Sequence, residues 1–372
     1  MSRSAEPHRV MFLYWGRRGA LVRFALEAWR AAAAESLLDP TLSVARSNER
    51  FSEFEAFGGR LFPVSTFQTS REALVRSLSI GGLRRDLLAR LRLDRTQTAV
   101  TLLSHVWSPL VAPVFRKAGV RTVTLVHDAD PHPGDRTGLL QNWYQRDIAK
   151  ADRIVTLSRS VRDSLVTDNG PPPAKILTLL HPDFASSRPG GAPNAAKQGP
   201  FRLLFLGRIL PYKGLGRAIA AVEILHARGI DVRLSIYGEG DVEPYRQRLG
   251  ALGAIVVNRW LSDDEIDTAL ASHDALVLSH VEASQSGVAA LALGSGLPIV
   301  ATPVGGLVEQ VTDGETGVLA AGTDPADIAF AIARLAADGT LRRHICSVIA
   351  ARRAGRSMQA FVHALALHLS RG

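Results

Sequence analysis

Short apolar runs recur along the chain, each followed by a polar loop and a stretch with helical spacing. Before residue 200 the runs are Val10–Trp15, Leu61–Ser65, Ala99–Ser104, Thr122–His127, Arg153–Leu157 and Ile176–Leu180. After it come Arg202–Leu206, Val232–Tyr237, Ile255–Val257, Ala275–Leu278 and Ile299–Thr302. Most of them run without apolar–polar alternation, which is the pattern of strands buried on both faces. Between the runs, sets such as Leu215, Ile219, Val222 and Leu225 recur three or four residues apart, the mark of amphipathic helices. Strand–helix alternation predicts parallel sheets with right-handed crossovers. The pattern lapses over Phe184–Pro200, whose Gly, Pro, Ala and Ser content reads as an interdomain linker. The expected fold is α/β, with two doubly wound parallel-sheet domains over residues 1–190 and 200–355. Ligands of such sheets bind at the carboxyl ends of strands, which places the expected site in a cleft between the domains.

Composition sharpens this in three ways. The 372 residues are 46% apolar and 21% charged, which excludes a disordered or fibrous chain. Residues 1–200 carry 28 basic and 18 acidic side chains, 28 − 18 = +10, and the remainder 16 − 17 = −1. A basic first half calls for an anionic partner: nucleic acid, a phosphorylated ligand or an acidic membrane face. Cys346 is the single cysteine, so an internal disulfide and a cysteine metal cluster are excluded, and it reads as a small buried filler in a late helix. The most apolar stretch, Val100 to Phe115, holds Ser104, His105, Trp107 and Ser108 and is too short and polar to span a bilayer. With no signal-peptide pattern at the start, a cytoplasmic chain is expected.

Candidate chemistry gathers at the loops after strands. Gly16-Arg-Arg-Gly19 follows the first run. It is not GxGxxG, and no GxxxxGK[ST] occurs, which disfavours a dinucleotide dehydrogenase and a P-loop NTPase. In the second half, Gly207-Arg208 ends a strand and Lys213-Gly214 follows. Arg and Lys flanking one turn suit a diphosphate, although a solvated basic loop has the same composition. Ser284, Gln285, Ser286 and Gly287 open an apolar helix and offer backbone N–H groups to an anion. Glu282 is an acceptor suited to sugar hydroxyls. Gly305-Gly306 opens a further helix, and ordinary N-caps remain the alternative for both.

The ordered set GR-x4-KG, EASQSGV, GLPIVATPVGGLVE and DGETG resembles the retaining glycosyltransferases of family 4, which have the GT-B fold. YWGRRGALVRF and VTLVHDADPHPG resemble the family's first glycine loop and its acceptor-side His loop. The resemblance implies that Arg208 and Lys213 hold the diphosphate of a nucleotide sugar and that Glu282 contacts the transferred sugar. It implies a phosphate seat at Ser286, Gly287 and Val288, a donor approach at Gly19, and a His near the attacking hydroxyl at His127. Gly238, Gly240, Asn258 and Trp260 would lie around the base, and residues 356–372 would form a helix returning to the first domain. Asp128 and Asp130 are acceptor-side candidates or plain turn formers. One departure stands out: the family's second Glu, which holds the ribose, is replaced here by Ala290 or Leu291. The mechanism implied is retention by front-face attack, with no metal and no other cofactor.

Arg71–Arg95 carries seven Arg against three acids, with Leu83, Leu87, Leu88 and Leu91 at helical spacing. It reads either as a helix packed on the sheet or as a basic rim for anionic lipid, with Arg84, Arg85 and Arg92 as lipid contacts. Nucleic acid is not expected, since no aromatic interleaving accompanies the arginines. The expected function is transfer of a sugar from a nucleotide diphosphate sugar to a lipid-linked or saccharide acceptor in surface polysaccharide assembly. Two alternatives stand: a GT-B epimerase or phosphorylase, and a scaffold that binds a nucleotide sugar or a partner without turnover.

Overall fold

The computed structural model describes residues 6–129, 141–166, 170–187 and 199–370. They form two units, each around one parallel sheet. The first sheet comprises β1 (His8–Tyr14), β2 (Leu38–Ala45), β3 (Arg60–Val64), β4 (Thr98–Leu103), β5 (Arg121–Val126), β6 (Arg153–Thr156) and β7 (Ile176–Thr178). Its strand order is β3-β2-β1-β4-β5-β6-β7. The second comprises β8 (Phe201–Leu206), β9 (Val232–Tyr237), β10 (Ile255–Val257), β11 (Ala275–Leu278), β12 (Ile299–Ala301) and β13 (Gly317–Leu319), in the order β10-β9-β8-β11-β12-β13. The order therefore reverses beside β1 and β4 in one sheet and beside β8 and β11 in the other. In doubly wound sheets those are the points where ligands enter.

Two strands lie outside the runs named from the sequence. In β2, LDPTLSVA, polar residues interrupt the pattern, yet Thr41 and Ser43 are buried. Their hydroxyls are satisfied: Thr41 donates to Asp94 Oδ2 at 2.8 Å and Ser43 accepts from Trp15 Nε1 at 2.9 Å. Pairing keeps the cost of burying such groups low. Pro40 is tolerated because β3 pairs only from Thr41 onward. The other, β13, is the short strand Gly317–Leu319 after the Asp313-Gly314 turn.

The chain passes from the first unit to the second between Leu180 and His181 and returns between Ser357 and Met358. Thus the first residues of the Gly/Pro-rich stretch are built into the second unit. Phe184 is buried, its N–H donates to Ala290 O at 3.1 Å, and Ser187 N–H donates to Asp267 Oδ2 at 2.9 Å. Residues 188–198 of the stretch lie outside the described residues. Beside Phe184, Asp183 and Arg356 form a two-bond pair at 2.9 and 3.0 Å. The last helix, Met358–Ser370, belongs to the first unit: Phe361 meets Phe24 edge-on at 5.8 Å, and His363 Nδ1 lies 3.0 Å from Glu35 Oε2.

Cys346 lies half-buried in the helix Gly339–Arg352, where burial pushes its thiol up to about 11, away from reactivity. Among the described residues no helix is long and apolar enough to cross a membrane.

The helix Gly287–Ser295 is buried from Ala289 to its end, which explains its unbroken apolar sequence. A Cβ at Gly294 would stand 1.7 Å from Phe184 O. Gly294→Ala is expected to cost about 3 kcal/mol or more by overpacking against backbone, read as a lowered urea midpoint. An unchanged midpoint would remove this contact from the second unit's core.

Candidate functional site

In the second unit, the loops after β8, β9 and β11 are held by direct backbone contact. Gly238, after β9, has φ 148, and a Cβ there would meet Gly207 O at 2.0 Å. Gly214 has φ 68, and its Cβ would meet Ser279 O at 2.0 Å. Only glycine fits such positions. The Ser279 hydroxyl lies 3.1 Å from Lys213 O and 3.0 Å from Gly214 O, and Val281 N–H donates to Tyr212 O at 2.7 Å. The loop carrying Lys213 is thereby fastened to the end of β11.

Lys213 is only 9% exposed, and its amine lies 5.7 Å from the centroid of the Tyr212 ring. A Cβ built on Gly207 would lie 3.7 Å from Lys213 Nζ and 3.2 Å from Val288 Cγ2. The amine, the glycine after β8 and the first turn of the helix Gly287–Ser295 therefore share one small volume at the point where strand order reverses. Arg208 stands exposed beside it.

The loop before that helix is braced from below. Ser286 caps the helix by accepting from Ala289 N–H at 3.3 Å. Gln310 clamps the backbone of Ser286, accepting its N–H at 2.7 Å and donating to its carbonyl at 3.1 Å. Gly306 N–H donates to Ala283 O at 2.9 Å. These bonds correct two expectations. The Ser286 amide is committed to Gln310 and cannot receive an anion. Gly305 and Gly306 do not form a second anion seat, because the Gly306 amide is used and the following helix, Leu307–Gln310, is only four residues long. The Gly287 and Val288 amides have no acceptor among the described residues. They are the ones a phosphate can take, aided by the helix dipole.

Around this centre, Glu282 is exposed, Ser284 and Gln285 are half-buried, and Gln285 Oε1 is a buried atom with no partner among the described residues. Asn258 is exposed and bonded to the β9 loop. Its amide is spent on Gly240, accepting from the N–H and donating to the O at 3.0 Å each, so it shapes the β9 loop. Trp260 is half exposed. Ala290 and Leu291 are buried, and the Ala290 carbonyl is taken by Phe184.

In the first unit, Gly19 at φ 106 begins the helix Ala20–Ala34, and its N–H donates to Glu49 Oε1 at 3.2 Å. Asn48 Nδ2 donates to Gly16 O at 2.8 Å. His127, just after β5, is buried; its Nε2–H donates to Leu102 O at 2.9 Å, and Nδ1 has no partner among the described residues. Burial holds its pKa below the usual imidazole range, so it offers a neutral acceptor lone pair. Asp128 is exposed; Asp130 lies outside the described residues. A feature absent from the sequence reading is the ring cluster around His105. Its ring lies 5.7, 5.2 and 5.6 Å from those of Trp15, Phe67 and Trp107, and burial lowers its pKa to about 4. Asp147, buried and accepting from Ser104 Oγ at 3.0 Å, is pushed up to about 6 by burial.

Solved structures with this architecture include glycosyltransferases. HepE of Anabaena, crystallised with UDP and glucose, superposes with TM-score 0.73 over 98% of this chain and 100% of its own, at 16% identity. WaaG, described as a glycosyltransferase involved in lipopolysaccharide biosynthesis, gives 0.64 over 98% and 100%, at 14% identity. The fold is GT-B. Residues 45–180 match the family model Glycosyltransferase Family 4, and residues 200–338 match Glycosyl transferases group 1. The chain belongs to glycosyltransferase family 4. Among curated relatives, glycogen synthase of Mycobacterium tuberculosis is 32% identical over 66% of this chain and 62% of its own length. D-inositol 3-phosphate glycosyltransferase of Paenarthrobacter aurescens is 29% identical over 62% and 59%. The chain thus spans less than two thirds of these relatives.

Gln310 carried no sequence signal, since its role depends on a backbone 24 residues away. Gln310→Ala is expected to leave two buried backbone groups of Ser286 unpaired, costing roughly 1–3 kcal/mol. Chemical denaturation checks this, and equal stability of the variant would show that the clamp does not hold the loop.

Proposed function

We propose that the protein transfers a sugar, with retention of anomeric configuration, from a nucleotide diphosphate sugar to a saccharide or lipid-linked acceptor. The observation that carries the proposal is the buried Lys213 amine beside the helix start at Gly287 and Val288. A diphosphate is the ligand whose charge and spread of oxygens match the Lys213 amine, the exposed Arg208 and the helix-start amides gathered there. UDP-glucose, named for a HepE structure, is the first donor to try.

In this reading, Lys213, Arg208 and the two free amides neutralise charge as it grows on the departing diphosphate. The acceptor hydroxyl attacks the anomeric carbon from the leaving-group face and gives its proton to the diphosphate oxygen. Glu282 accepts from hydroxyls of the transferred sugar. His127, neutral and with Nδ1 unpartnered, accepts from a sugar or acceptor hydroxyl. Because side chains and amides carry the charge balance, the proposal invokes no metal or further cofactor. The cytoplasm is the proposed location, with surface polysaccharide assembly as the pathway.

A second reading is favoured by one feature. Leu291 and Ala290 place no carboxylate where the family's second Glu holds the ribose, so binding without turnover is the competing proposal. Release of free sugar, or transfer to an acceptor, from UDP-glucose separates the two.

Arg208→Ala and Lys213→Ala are each expected to weaken UDP binding about tenfold to a hundredfold, the loss of a charge-assisted bond worth roughly 1.5–3 kcal/mol. Lys213→Met, which keeps the packing of the stem, should match Lys213→Ala. Glu282→Gln should lower turnover and leave UDP affinity nearly unchanged. Calorimetric titration with UDP decides: wild-type affinity in all three basic-residue variants would end the diphosphate assignment, and lost UDP affinity in Glu282→Gln would move Glu282 to the ribose or phosphates.

A further inference from the structure

The helix Ser70–Leu78, SREALVRSL, is oriented opposite to a packed surface helix. Its inward side is small and polar: Trp107 Nε1 donates to Ser77 Oγ at 2.8 Å, and Ser77 donates to Ala73 O at 2.6 Å. Its outward side is apolar. Leu74, Val75 and Leu78 are 72%, 65% and 85% exposed, and with Arg71 they follow the i, i+3, i+4, i+7 spacing of one helical face. A helix packed on a sheet turns its apolar stripe to the core; this one turns it to solvent.

Local structure keeps it so. Thr69 caps the helix by accepting from Glu72 N–H at 3.2 Å, and Glu72 reaches back to Gln68 N–H at 2.8 Å, a reciprocal arrangement that secures a first turn. The following helix, Ile80–Leu93, is ordinary by comparison. Leu87 and Leu91 enter the core cluster, and Leu83 and Leu88 pack against it. Arg84 Nε is 2.7 Å from Leu110 O. Of the two readings of this segment, the helix packed within the unit is the one its leucines follow, and Arg84 is engaged with the backbone; Arg85 and Arg92 are exposed.

We propose that the stripe Arg71, Leu74, Val75 and Leu78 is an interfacial anchor that enters an anionic lipid bilayer surface, with Arg71 and Arg76 at the level of the lipid phosphates. Charge complementarity selects this occupant. Arg71, Arg76 and Arg92 are exposed here, Arg76 with a long 3.4 Å bond to Ser65 O, while Glu72 is used in the cap and Asp86 and Arg85 offset each other at 3.2 Å. A second copy of the chain fits less well, because a two-fold contact would set the arginines against their own copies. Apolar insertion and attraction to anionic headgroups add together in interfacial helices. The inference deepens the lipid-linked branch of the proposed function and rests on that reading for its purpose, though not for its chemistry.

The test is sedimentation of the full chain with sucrose-loaded vesicles of equimolar phosphatidylglycerol and phosphatidylcholine, against phosphatidylcholine alone. The wild type is expected to sediment with the anionic vesicles. Leu74→Ser/Leu78→Ser, at exposed positions, should lose roughly tenfold or more in partitioning at any salt. Arg71→Ser/Arg76→Ser should lose a similar factor at low salt and less at high salt. A polarity-sensitive dye on Leu78→Cys, in a Cys346→Ser background, should shift to the blue on anionic vesicles. Absence of wild-type binding, or equal binding by the leucine variant, would overturn the proposal. So would a leucine variant that turns a dimer into a monomer without changing vesicle binding. UDP binding measured alongside keeps the readings apart: its loss in the wild type strikes the donor assignment, whereas vesicle results strike only the anchor.

Discussion

Backbone pressed against backbone at the carboxyl ends of β8, β9 and β11 is the constraint on which the second unit's site depends. Gly214 and Gly238 each bring the chain to where a Cβ would stand 2.0 Å from a carbonyl oxygen. That closeness lets Ser279 bind the carbonyls of Lys213 and Gly214 from the neighbouring strand, and it fixes the lysine stem. A longer approach would let water into the loop and let the amine swing out, where its charge would be screened. The same economy recurs one strand over, where Gln310 holds Ser286 by both backbone groups. Amides at Gly287 and Val288 without an acceptor among the described residues then follow from geometry: they are the helix donors left after the cap and the clamp have taken theirs.

How much of this was legible in the sequence depends on whether the cause was local. Continuous apolar runs identified the strands buried on both faces, because burial alone dictates their composition. β2 escaped since its polar residues are satisfied by Asp94 and Trp15, partners that pattern cannot supply. Gly207, Lys213 and Gly214 were legible because few residues can end a strand, turn and start a helix in that space. Asn258 was legible only as a polar residue near the β9 loop; that its amide ties down Gly240 could not be read, because the partner is a backbone 18 residues away. Gly306 looked like a free donor until Ala283 O was placed beside it.

The two units use titratable groups differently. In the second, exposed Arg208 and Glu282 stand around a largely buried lysine. In the first, burial governs: it lowers the pKa of His127 and His105 and raises that of Asp147. A histidine held neutral, with Nε2–H committed to Leu102 O, keeps one tautomer and hence one acceptor direction. Such a group orients a hydroxyl over a broad pH range because it does not charge near neutrality.

The replacement of a second Glu by apolar residues has a structural reason beyond the absence of a carboxylate. The helix Gly287–Ser295 is covered by the segment around Phe184, whose N–H takes the Ala290 carbonyl and whose own carbonyl leaves no room for a side chain at Gly294. A helix enclosed in this way has little solvated face to carry a charge. A Glu at Ala290, which is fully buried, would have to lose its hydration, a cost of several kcal/mol. Leu291 is nearly as enclosed. Any ribose contact in this chain must therefore come from outside that helix face, from the loops after β9 and β11 or from backbone groups. Tight packing of the helix and a carboxylate upon it are competing solutions, and this sequence has taken the packing.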